Sequence, residues 1–258
     1  MLKSRIIPVL LLKKEKLVKT TKFNDERYVG DPLNAVRIFN EKEVDELMVI
    51  DISATTENRE PNYQLISKIA SECRMPLCYG GGVNTSSMLE KIISLGVEKC
   101  AISSTAINEP EIIYESARKV GNQSVVFVMD IKKNLKNDEY RLFTHNGLKE
   151  SSEEPFNFAK KIEELGAGEI LLNVIDRDGS MIGYDLNAAV KLREKVKCPI
   201  TILGGAGSYN DISTIFNKLG LIGAAAGSIF VFKGKYRAVL INYPTQNQKQ
   251  EIYEMALK

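Results

Sequence analysis

Two glycine-rich stretches, "YGGGVNTSS" (79–87) and "LGGAGSYND" (203–211), decide the fold because they are two copies of one pattern. Gly80 and Gly204 are 124 positions apart, and three further pairs of stretches keep nearly the same offset. These pairs are "VIDISA" (49–54) with "VIDRDG" (174–179), "CAISSTAI" (100–107) with "AAAGSIFV" (224–231), and "VLLLKK" (9–14) with "VMDIKK" (128–133). Four matches in the same order indicate an internal repeat, so the chain consists of two related halves.

Short β-branched runs alternate with longer amphipathic segments along all 258 residues. The strand-like runs are 5–11, 46–51, 76–79, 99–103, 125–130, 169–173, 200–203 and 222–226. Helical patterns between them include 34–44, 62–72, 86–96 and 156–166. Eight strand–helix units favour an α/β fold of the closed kind, a (β/α)8 TIM barrel of two fused (βα)4 half-barrels, over an open doubly wound sheet. We expect one barrel domain over 1–258, with a C-terminal extension from about residue 235.

The composition excludes several classes of protein. With 35 basic and 33 acidic residues the formal net charge is +2, so no nucleic-acid partner is indicated. Four cysteines without C-x-x-C spacing and a single histidine predict reduced thiols and no metal site. The apolar run 6–12 is short, contains a proline and lacks a cleavage site, and no segment approaches the ~20 apolar residues that span a membrane. We expect a cytoplasmic protein without a membrane segment or a cofactor.

Both glycine-rich stretches follow a predicted strand and precede a predicted helix. Glycine lets a backbone approach a ligand closely, and a helix start offers free N–H groups to an anion. The neighbouring strand ends, "SST" (103–105) and "AGS" (226–228), add small and hydroxyl side chains. A single glycine-rich turn is weak evidence, but two related by a repeat predict a ligand with a phosphate at each end. The candidate residues are Gly81, Gly82, Ser103, Ser104, Gly204, Gly205, Gly227 and Ser228.

Together these residues carry a resemblance to a known family. The motifs "RIIPVLLLK", "GDPLNAV", "YGGGV", "ELGAGEILLN", "DRDGS" and "GGAGS" resemble HisF, the cyclase subunit of imidazole glycerol phosphate synthase, over about residues 1–235. The resemblance implies a barrel that binds a substrate with two phosphates and receives ammonia from a glutaminase partner, HisH. It also implies addition, ring closure and lyase chemistry by two aspartates, and adds Asp178 and Gly179 to the phosphate-binding residues.

The two family aspartates fall at positions 11 and 130 of this chain. Asp130 is present and is the candidate catalytic residue, but position 11 is a leucine. The middle of the site departs further, because Ser103, Asn173 and Leu203 stand where the family usually has Asn, Thr and Ser. Two carboxylates allow one to act as an acid while the other acts as a base, and leucine can do neither. Either Asp51 or Asp178 substitutes for the missing carboxylate, or the cyclase reaction is lost.

A second set of motifs narrows the resemblance. "VLLLK", "EVDEL", "ASECRMPLCYGGG" and "FKGKYRAVLINYP" are similar to a HisF-like branch associated with sugar amidination, the WbuZ type. In that branch a HisH-like glutaminase and the HisF-like barrel supply ammonia to a separate sugar amidotransferase. This resemblance implies that the barrel delivers ammonia without running the cyclase reaction. Two alternatives are the authentic cyclase of histidine biosynthesis and a free-standing phosphosugar isomerase like the related HisA barrel.

Strand parity predicts charged residues at the other end of the barrel. If Leu11 points into the mouth, Arg5 points inward at the bottom, because side chains alternate with period two. The same count places Glu46, Lys99 and Glu169 beside it. A buried charge is destabilising unless it is paired, so these four form either a neutral plug or, as the resemblance implies, the gate for ammonia. Above them we expect an apolar bore that suits NH3, formed by Ile7, Val9, Met48, Ile50 and Ala101.

Three further features have open interpretations. Lys19 follows the first strand and matches a family lysine on the loop that covers the substrate, or it is a solvated lysine among several. His145, in "FTHNG", is expected at a hairpin tip as a surface turn residue rather than a catalyst. The tail 244–258 has a short amphipathic pattern that packs either on the barrel or on a partner.

Overall fold

Eight parallel strands form the centre of the computed structural model, which describes residues 3–134 and 137–257. They are β1 Arg5–Lys13, β2 Leu47–Asp51, β3 Leu77–Gly80, β4 Lys99–Ile102, β5 Val125–Lys133, β6 Glu169–Val174, β7 Ile200–Leu203 and β8 Gly223–Ala226. Each strand pairs in parallel with the next, and β8 pairs with β1, so the sheet closes on itself. The predicted (β/α)8 barrel is therefore confirmed.

The strands are joined by helices that cover the outside of the barrel. The helices are α1 Pro32–Glu41, α2 Tyr63–Glu72, α3 Ser86–Ser94, α4 Ser104–Asn108, α5 Glu111–Val120, α6 Pro155–Glu164, α7 Leu186–Lys195, α8 Tyr209–Leu219, α9 Ser228–Val231 and α10 Gln246–Ala256. Several begin at a side chain that caps the first turn, such as Asp31 before α1 and Ser208 before α8. The main core lies between these helices and the outer face of the strands.

Three hairpins extend from the barrel. Strands Lys16–Thr21 and Asn24–Gly30 follow β1, strands Tyr140–Thr144 and Lys149–Glu150 follow β5, and strands Phe232–Lys233 and Ala238–Val239 follow α9. The first two occupy equivalent places in the two halves, because Leu11 pairs with Val18 in one and Asp130 pairs with Phe143 in the other. The short helices α4 and α9 are likewise equivalent, since each starts with a serine that a single residue separates from the end of β4 or β8. These correspondences match the predicted repeat.

The C-terminal segment packs on the barrel. Helix α10 lies against α8, where the rings of Phe216 and Tyr253 stack with centroids 5.9 Å apart. Lys249 Nζ lies 2.9 Å from Asp45 Oδ1, and the Tyr253 hydroxyl donates to the Ser4 carbonyl at 2.9 Å. Of the two interpretations of the tail, packing on the barrel describes this structure.

Candidate functional site

A cavity opens at the carboxyl ends of the strands, where (β/α)8 barrels hold their active sites. Its floor is apolar, and polar groups stand around its rim. The floor contains Val9, Leu11, Met48, Ile50, Ala101, Val128, Leu171 and Leu203; the rim includes Lys19, Thr20, Asp51, Thr55, Gly81, Gly82, Ser103, Ser104, Thr105, Asp130, His145, Asn146, Asn173 and Asp178. The cavity therefore combines a hydrophobic bore with a polar mouth.

Asp130 is the candidate catalytic carboxylate. Its Oδ1 accepts a hydrogen bond from Asn173 Nδ2 at 2.9 Å, because β5 and β6 pair with these two residues side by side. Burial raises the pKa of Asp130 to about 7, against the opposite effect of the Asn173 amide, and the nearby charge of Asp178 acts in the same direction as burial. A carboxyl group with this pKa exchanges a proton readily near neutral pH.

Leu11 occupies the position that corresponds to Asp130 in the first half of the barrel. Its side chain lines the same cavity and packs on the barrel's inner apolar cluster. The premise of the parity argument, that Leu11 points into the mouth, therefore holds, and the mouth has an isobutyl group there instead of a second carboxylate.

The two possible substitutes for that carboxylate are already engaged. Asp51 accepts hydrogen bonds from the backbone N–H groups of Ser53 and Ala54 and pairs with Arg59 at 3.0 Å. Asp178 accepts from the Thr20 hydroxyl at 3.3 Å and lies 3.9 Å from Lys19 Nζ. Both carboxylates line the cavity, but each is paired with a cation, and Asp51 also holds the loop that follows β2.

The glycines of the repeated stretches are required by the packing of neighbouring loops. A Cβ on Gly81 would lie 2.3 Å from the Asp51 carbonyl oxygen, and one on Gly205 would lie 2.1 Å from that of Gly183. Both residues also have positive φ angles, +112° and +110°, which glycine adopts without strain. The glycines alone therefore do not distinguish an anion site from a tightly packed turn.

Unpaired hydroxyl groups beside these glycines are the stronger signal for a ligand. Among the residues that the structure describes, four side-chain atoms are buried without a hydrogen-bond partner, and three of them, Ser103 Oγ, Ser228 Oγ and Asn173 Oδ1, belong to the mouth or its two repeated loops, while Ser116 Oγ lies on helix α5. Buried polar atoms are normally paired, so each of these three is available to a bound polar group.

The candidate phosphate residues fall into two groups. Gly81, Gly82, Ser103, Ser104 and Asp178 line the central cavity. Gly179, Gly204, Gly205, Gly227 and Ser228 do not line it, because the hairpin that carries Lys19 and Thr20 lies against Gly179 and Gly227. The second group of candidate phosphate residues therefore lies beneath the hairpin that carries Lys19 and Thr20, outside the open cavity.

Lys19 is buried at the mouth, so its interpretation as a solvated lysine is wrong. The residue is 3 % exposed and lies on the strand Lys16–Thr21 rather than in a loop. A Cβ on Gly227 would be 2.2 Å from Lys19 Nζ, which places the ammonium group beside the repeated loop of the second half. A cation here suits an anionic ligand group.

The four charged residues predicted for the barrel bottom meet in one network. Arg5 bonds to Glu46 and, through Nη2, to Glu169 at 2.8 Å. Lys99 Nζ lies 2.9 Å from Glu46 and 2.8 Å from Glu169. Burial alone would raise the pKa of Glu169, but Arg5 and Lys99 lower it to about 2. The Thr201 hydroxyl, which sequence reasoning did not identify, also donates to Glu169.

Between this network and the mouth, the barrel interior is apolar. Its buried members are Ile7, Val9, Met48, Cys78, Ala101, Val126, Leu171, Leu203 and Ala225, with Leu11, Ile50 and Val128 packed against them. All five residues predicted for the bore are in this cluster. A path along the barrel axis would therefore suit a small neutral molecule better than an ion.

His145 was expected on the surface, but it lines the cavity. It does lie on a hairpin turn, with φ +52°, and its backbone N–H donates to Ser104 Oγ at 3.2 Å. Thr20, Phe23 and Asn146 also reach the cavity without having been predicted. The feature that could have predicted these contacts is the strand after β5, because it runs antiparallel to β5 and brings its turn back to the mouth.

Neither a metal site nor a membrane-spanning helix is found within residues 3–134 and 137–257. No group of three or more His, Cys, Asp or Glu side chains there could hold a metal ion. No helix in those ranges is long and apolar enough to cross a membrane.

The fold and the site together place this chain among the TIM-barrel proteins. Its ionisable group and unpaired hydroxyls lie at the carboxyl face of the barrel, where enzymes of this fold have their active sites. The family described as histidine biosynthesis protein matches residues 5–237. "Putative imidazole glycerol phosphate synthase subunit hisF3" of Vibrio vulnificus (strain YJ016) is 54% identical over 99% of this chain and 98% of its own. "Putative imidazole glycerol phosphate synthase subunit HisF" of Leptospira borgpetersenii is 53% identical over 98% and 100%. The chain belongs to the histidine biosynthesis protein family and, within it, to the HisF-like proteins.

Proposed function

We propose that this HisF-like barrel is the synthase-side subunit of a glutamine amidotransferase in the cytoplasm. In this proposal it receives ammonia from a HisH-like glutaminase and passes it through the barrel for amidination of a surface-sugar precursor. A separate sugar amidotransferase would carry out the amidination. The single observation that carries the proposal is Leu11, which lines the mouth where the cyclase reaction needs a second carboxylate.

The bottom network supports the ammonia path. Two positive and two negative side chains close the bottom of the barrel: Arg5, Glu46, Lys99 and Glu169. An apolar interior lies directly above them. In this proposal, the gate opens when one of the paired side chains turns away. A purely apolar barrel bottom would have no polar group to bind ammonia as it enters. We propose that the glutaminase docks at this end of the barrel.

The mouth supports binding of a phosphorylated small molecule. Ser103 and Ser228 have unpaired hydroxyls beside the repeated glycine loops, and Lys19 places a buried cation beside Gly227. We propose that a ligand with two anionic ends spans these loops and that the hairpin bearing Lys19 moves to admit it.

The authentic cyclase is a second candidate, and one observation favours it. The pKa of Asp130 is about 7, so this carboxyl group is suited to donate and to accept a proton in successive steps. The curated relatives at 53–54% identity also have imidazole glycerol phosphate synthase in their names. In this case Asp130 would work without a partner at position 11.

Turnover of the cyclase substrate separates the two candidates. The substrate, N′-(5′-phosphoribulosyl)-formimino-aminoimidazole carboxamide ribonucleotide, is mixed with the purified chain and an ammonium salt, without glutaminase. The same assay is run with Leu11→Asp and, as a matched control at a neighbouring apolar position of the cavity, Val128→Asp. We expect no turnover by the unmodified protein and measurable turnover by Leu11→Asp alone.

Turnover by the unmodified protein would overturn the conduit proposal. Asp51→Asn and Asp178→Asn would then show whether either carboxylate serves as the second acid. If Leu11→Asp also lacks activity, binding of the substrate is measured by calorimetry to separate a site that binds without reacting from one that does not bind.

A further inference from the structure

His145 is the single histidine of the chain, and its position is fixed by the fold. The strand Tyr140–Thr144 runs back along β5 and delivers the turn to the mouth. There the His145 backbone N–H donates to Ser104 Oγ at 3.2 Å, and the Asn146 side chain donates to the Ile52 carbonyl at 2.7 Å. The turn is thus tied to two loops across the mouth and is not a free surface loop.

His145 stands at the junction of two cavities. The central cavity adjoins an outer pocket on the β2, β3 and β4 side, and five residues line both of them: Thr55, Gly82, Ser104, Thr105 and His145. Of these five, His145 alone has an ionisable side chain. The other four are the small and hydroxyl residues of the first-half phosphate loops or of the loop beside them.

The imidazole has one ring nitrogen free to meet a ligand. Nδ1 lies 3.0 Å from Thr144 Oγ1, and no residue in the described part of the chain bonds to Nε2. Burial, and then the charge of Lys149, lower the pKa of His145 below its ordinary value. Without a ligand, the site therefore favours the neutral imidazole. A bound anion would supply the negative charge that stabilises the protonated ring.

We propose that His145 is an anion-binding residue of the first-half phosphate site, and that it takes up a proton when a phosphate or sulfate dianion binds beside Ser103 and Ser104. This inference rests on the phosphate-binding part of the proposed function. It makes binding of an anion that remains a dianion stronger as the pH falls, because binding and protonation favour each other.

Other charged groups surround the imidazole and have to be separated from it. Lys149 is on its own hairpin, and Lys132 of β5 donates to the Gly147 carbonyl in the same turn. The remaining groups line the two cavities: Arg59 and Glu109 in the outer pocket, and Lys19, Asp51, Asp130 and Asp178 in the central one. Asp130 in particular titrates near pH 7, so a pH dependence alone would not identify His145.

Nuclear magnetic resonance resolves this ambiguity, because one histidine gives one set of imidazole signals. The full chain without a histidine tag is titrated from pH 5 to 8 with and without sulfate, which stays a dianion over this range. We expect sulfate to raise the pKa of His145 by about half a unit or more. In binding experiments His145→Gln should lose about threefold in sulfate affinity at pH 6 and keep its affinity at pH 8.

Leu148→Gln is the matched control, since it changes an exposed neighbour in the same turn and should keep the wild-type pH dependence. If sulfate shifts the amide signals of Gly82 and Ser104 but leaves the pKa of His145 unchanged, this inference is overturned while the phosphate site stands. If those amides do not respond to sulfate at all, the phosphate site proposed for this end of the mouth fails, and the inference fails with it.

Discussion

At the scale of single residues, the fold holds the Asp130 carboxyl group where its ionised form is destabilised. It is half-buried next to the apolar base of the cavity, and the amide of Asn173 is its one hydrogen-bond donor among the described residues. Its pKa of about 7 compares with about 3.9 in an unfolded chain. The folded protein therefore keeps this proton to a higher pH than the unfolded chain does.

This difference predicts how Asp130 affects stability. Between about pH 4 and pH 7 the folded state binds more protons, so stability decreases as the pH rises, and the full penalty is present above pH 7. Asp130→Asn keeps the acceptor for Asn173 and removes the titration. We expect its free energy of unfolding at pH 8 to exceed that of the wild type by about 1–3 kcal/mol, and the difference to vanish near pH 4.

Urea denaturation at pH 4.5, 6 and 8 measures this. Asp51→Asn is the matched control, because Asp51 has Arg59 and two backbone donors and its replacement should destabilise the protein. An Asp130→Asn variant that is less stable than the wild type at pH 8 would contradict the prediction.

Which side chains point into the barrel could be predicted from residue order alone. Parity along β1 placed Leu11 at the mouth and Arg5 at the bottom, because side chains alternate in any strand. Burial of Lys19 and His145 could not be predicted in this way. Both depend on hairpins that fold back over the mouth, and that is a long-range property.

At the scale of elements, the hairpin after β1 shows why some structure escaped prediction. Its two turns centre on Lys14–Glu15 and Lys22–Phe23, and all four residues have positive φ. Two-residue turns of this kind usually contain Asn-Gly or Asp-Gly, and this sequence has neither. Six of the eight barrel strands contain β-branched residues, and β3 and β8 are apolar runs that the repeat matches to β7 and β4, so their positions could be predicted closely.

Helix α10 is the element whose contribution to stability can be measured most directly. Its inner face packs Ile252 into the core, where this side chain is 1 % exposed, and Lys249 reaches Asp45, two residues before β2. Ile252→Ala should lower the free energy of unfolding by about 2–4 kcal/mol through lost burial and a cavity. Met255, 41 % exposed on the same helix, is the control, and Met255→Ala should change stability by less than about 0.5 kcal/mol.

Urea unfolding followed by circular dichroism compares the two variants. Equal effects of Ile252→Ala and Met255→Ala would mean that α10 does not hold to the barrel in solution. The amphipathic pattern of the tail predicted the helix, but not whether it packs on the barrel or on a partner, since an apolar face suits either.

At the scale of the whole molecule, the bottom network joins strands that are far apart in the sequence. Glu169 on β6 meets Arg5 on β1 and Lys99 on β4, and its pKa is lowered to about 2 from about 4.3 in an unfolded chain. A lowered pKa contributes stability that is complete above about pH 5 and is lost as the pH falls towards 2.

Glu169→Gln should therefore be less stable than the wild type at pH 7, by about 3 kcal/mol, and the difference should shrink steadily as the pH falls below 4. Urea denaturation between pH 7 and pH 3 gives the profile. Glu90→Gln, which removes the exposed pair with Lys119, should retain the wild-type profile. A Glu169→Gln profile parallel to that of the wild type would show that the network does not hold this carboxylate in its charged form.

The repeat and the position of α10 together make the order of the two halves exchangeable. Tyr253 touches Ser4, so the first and last described segments lie side by side at the bottom of the barrel. Asn122 and Gln123, between α5 and β5, are exposed where one half gives way to the other. A circularly permuted chain that begins at Gln123, with the old ends joined by a short linker, would keep every strand pairing while the second half is synthesised first. The order in which the two halves follow one another along the chain is, on this view, incidental to the architecture.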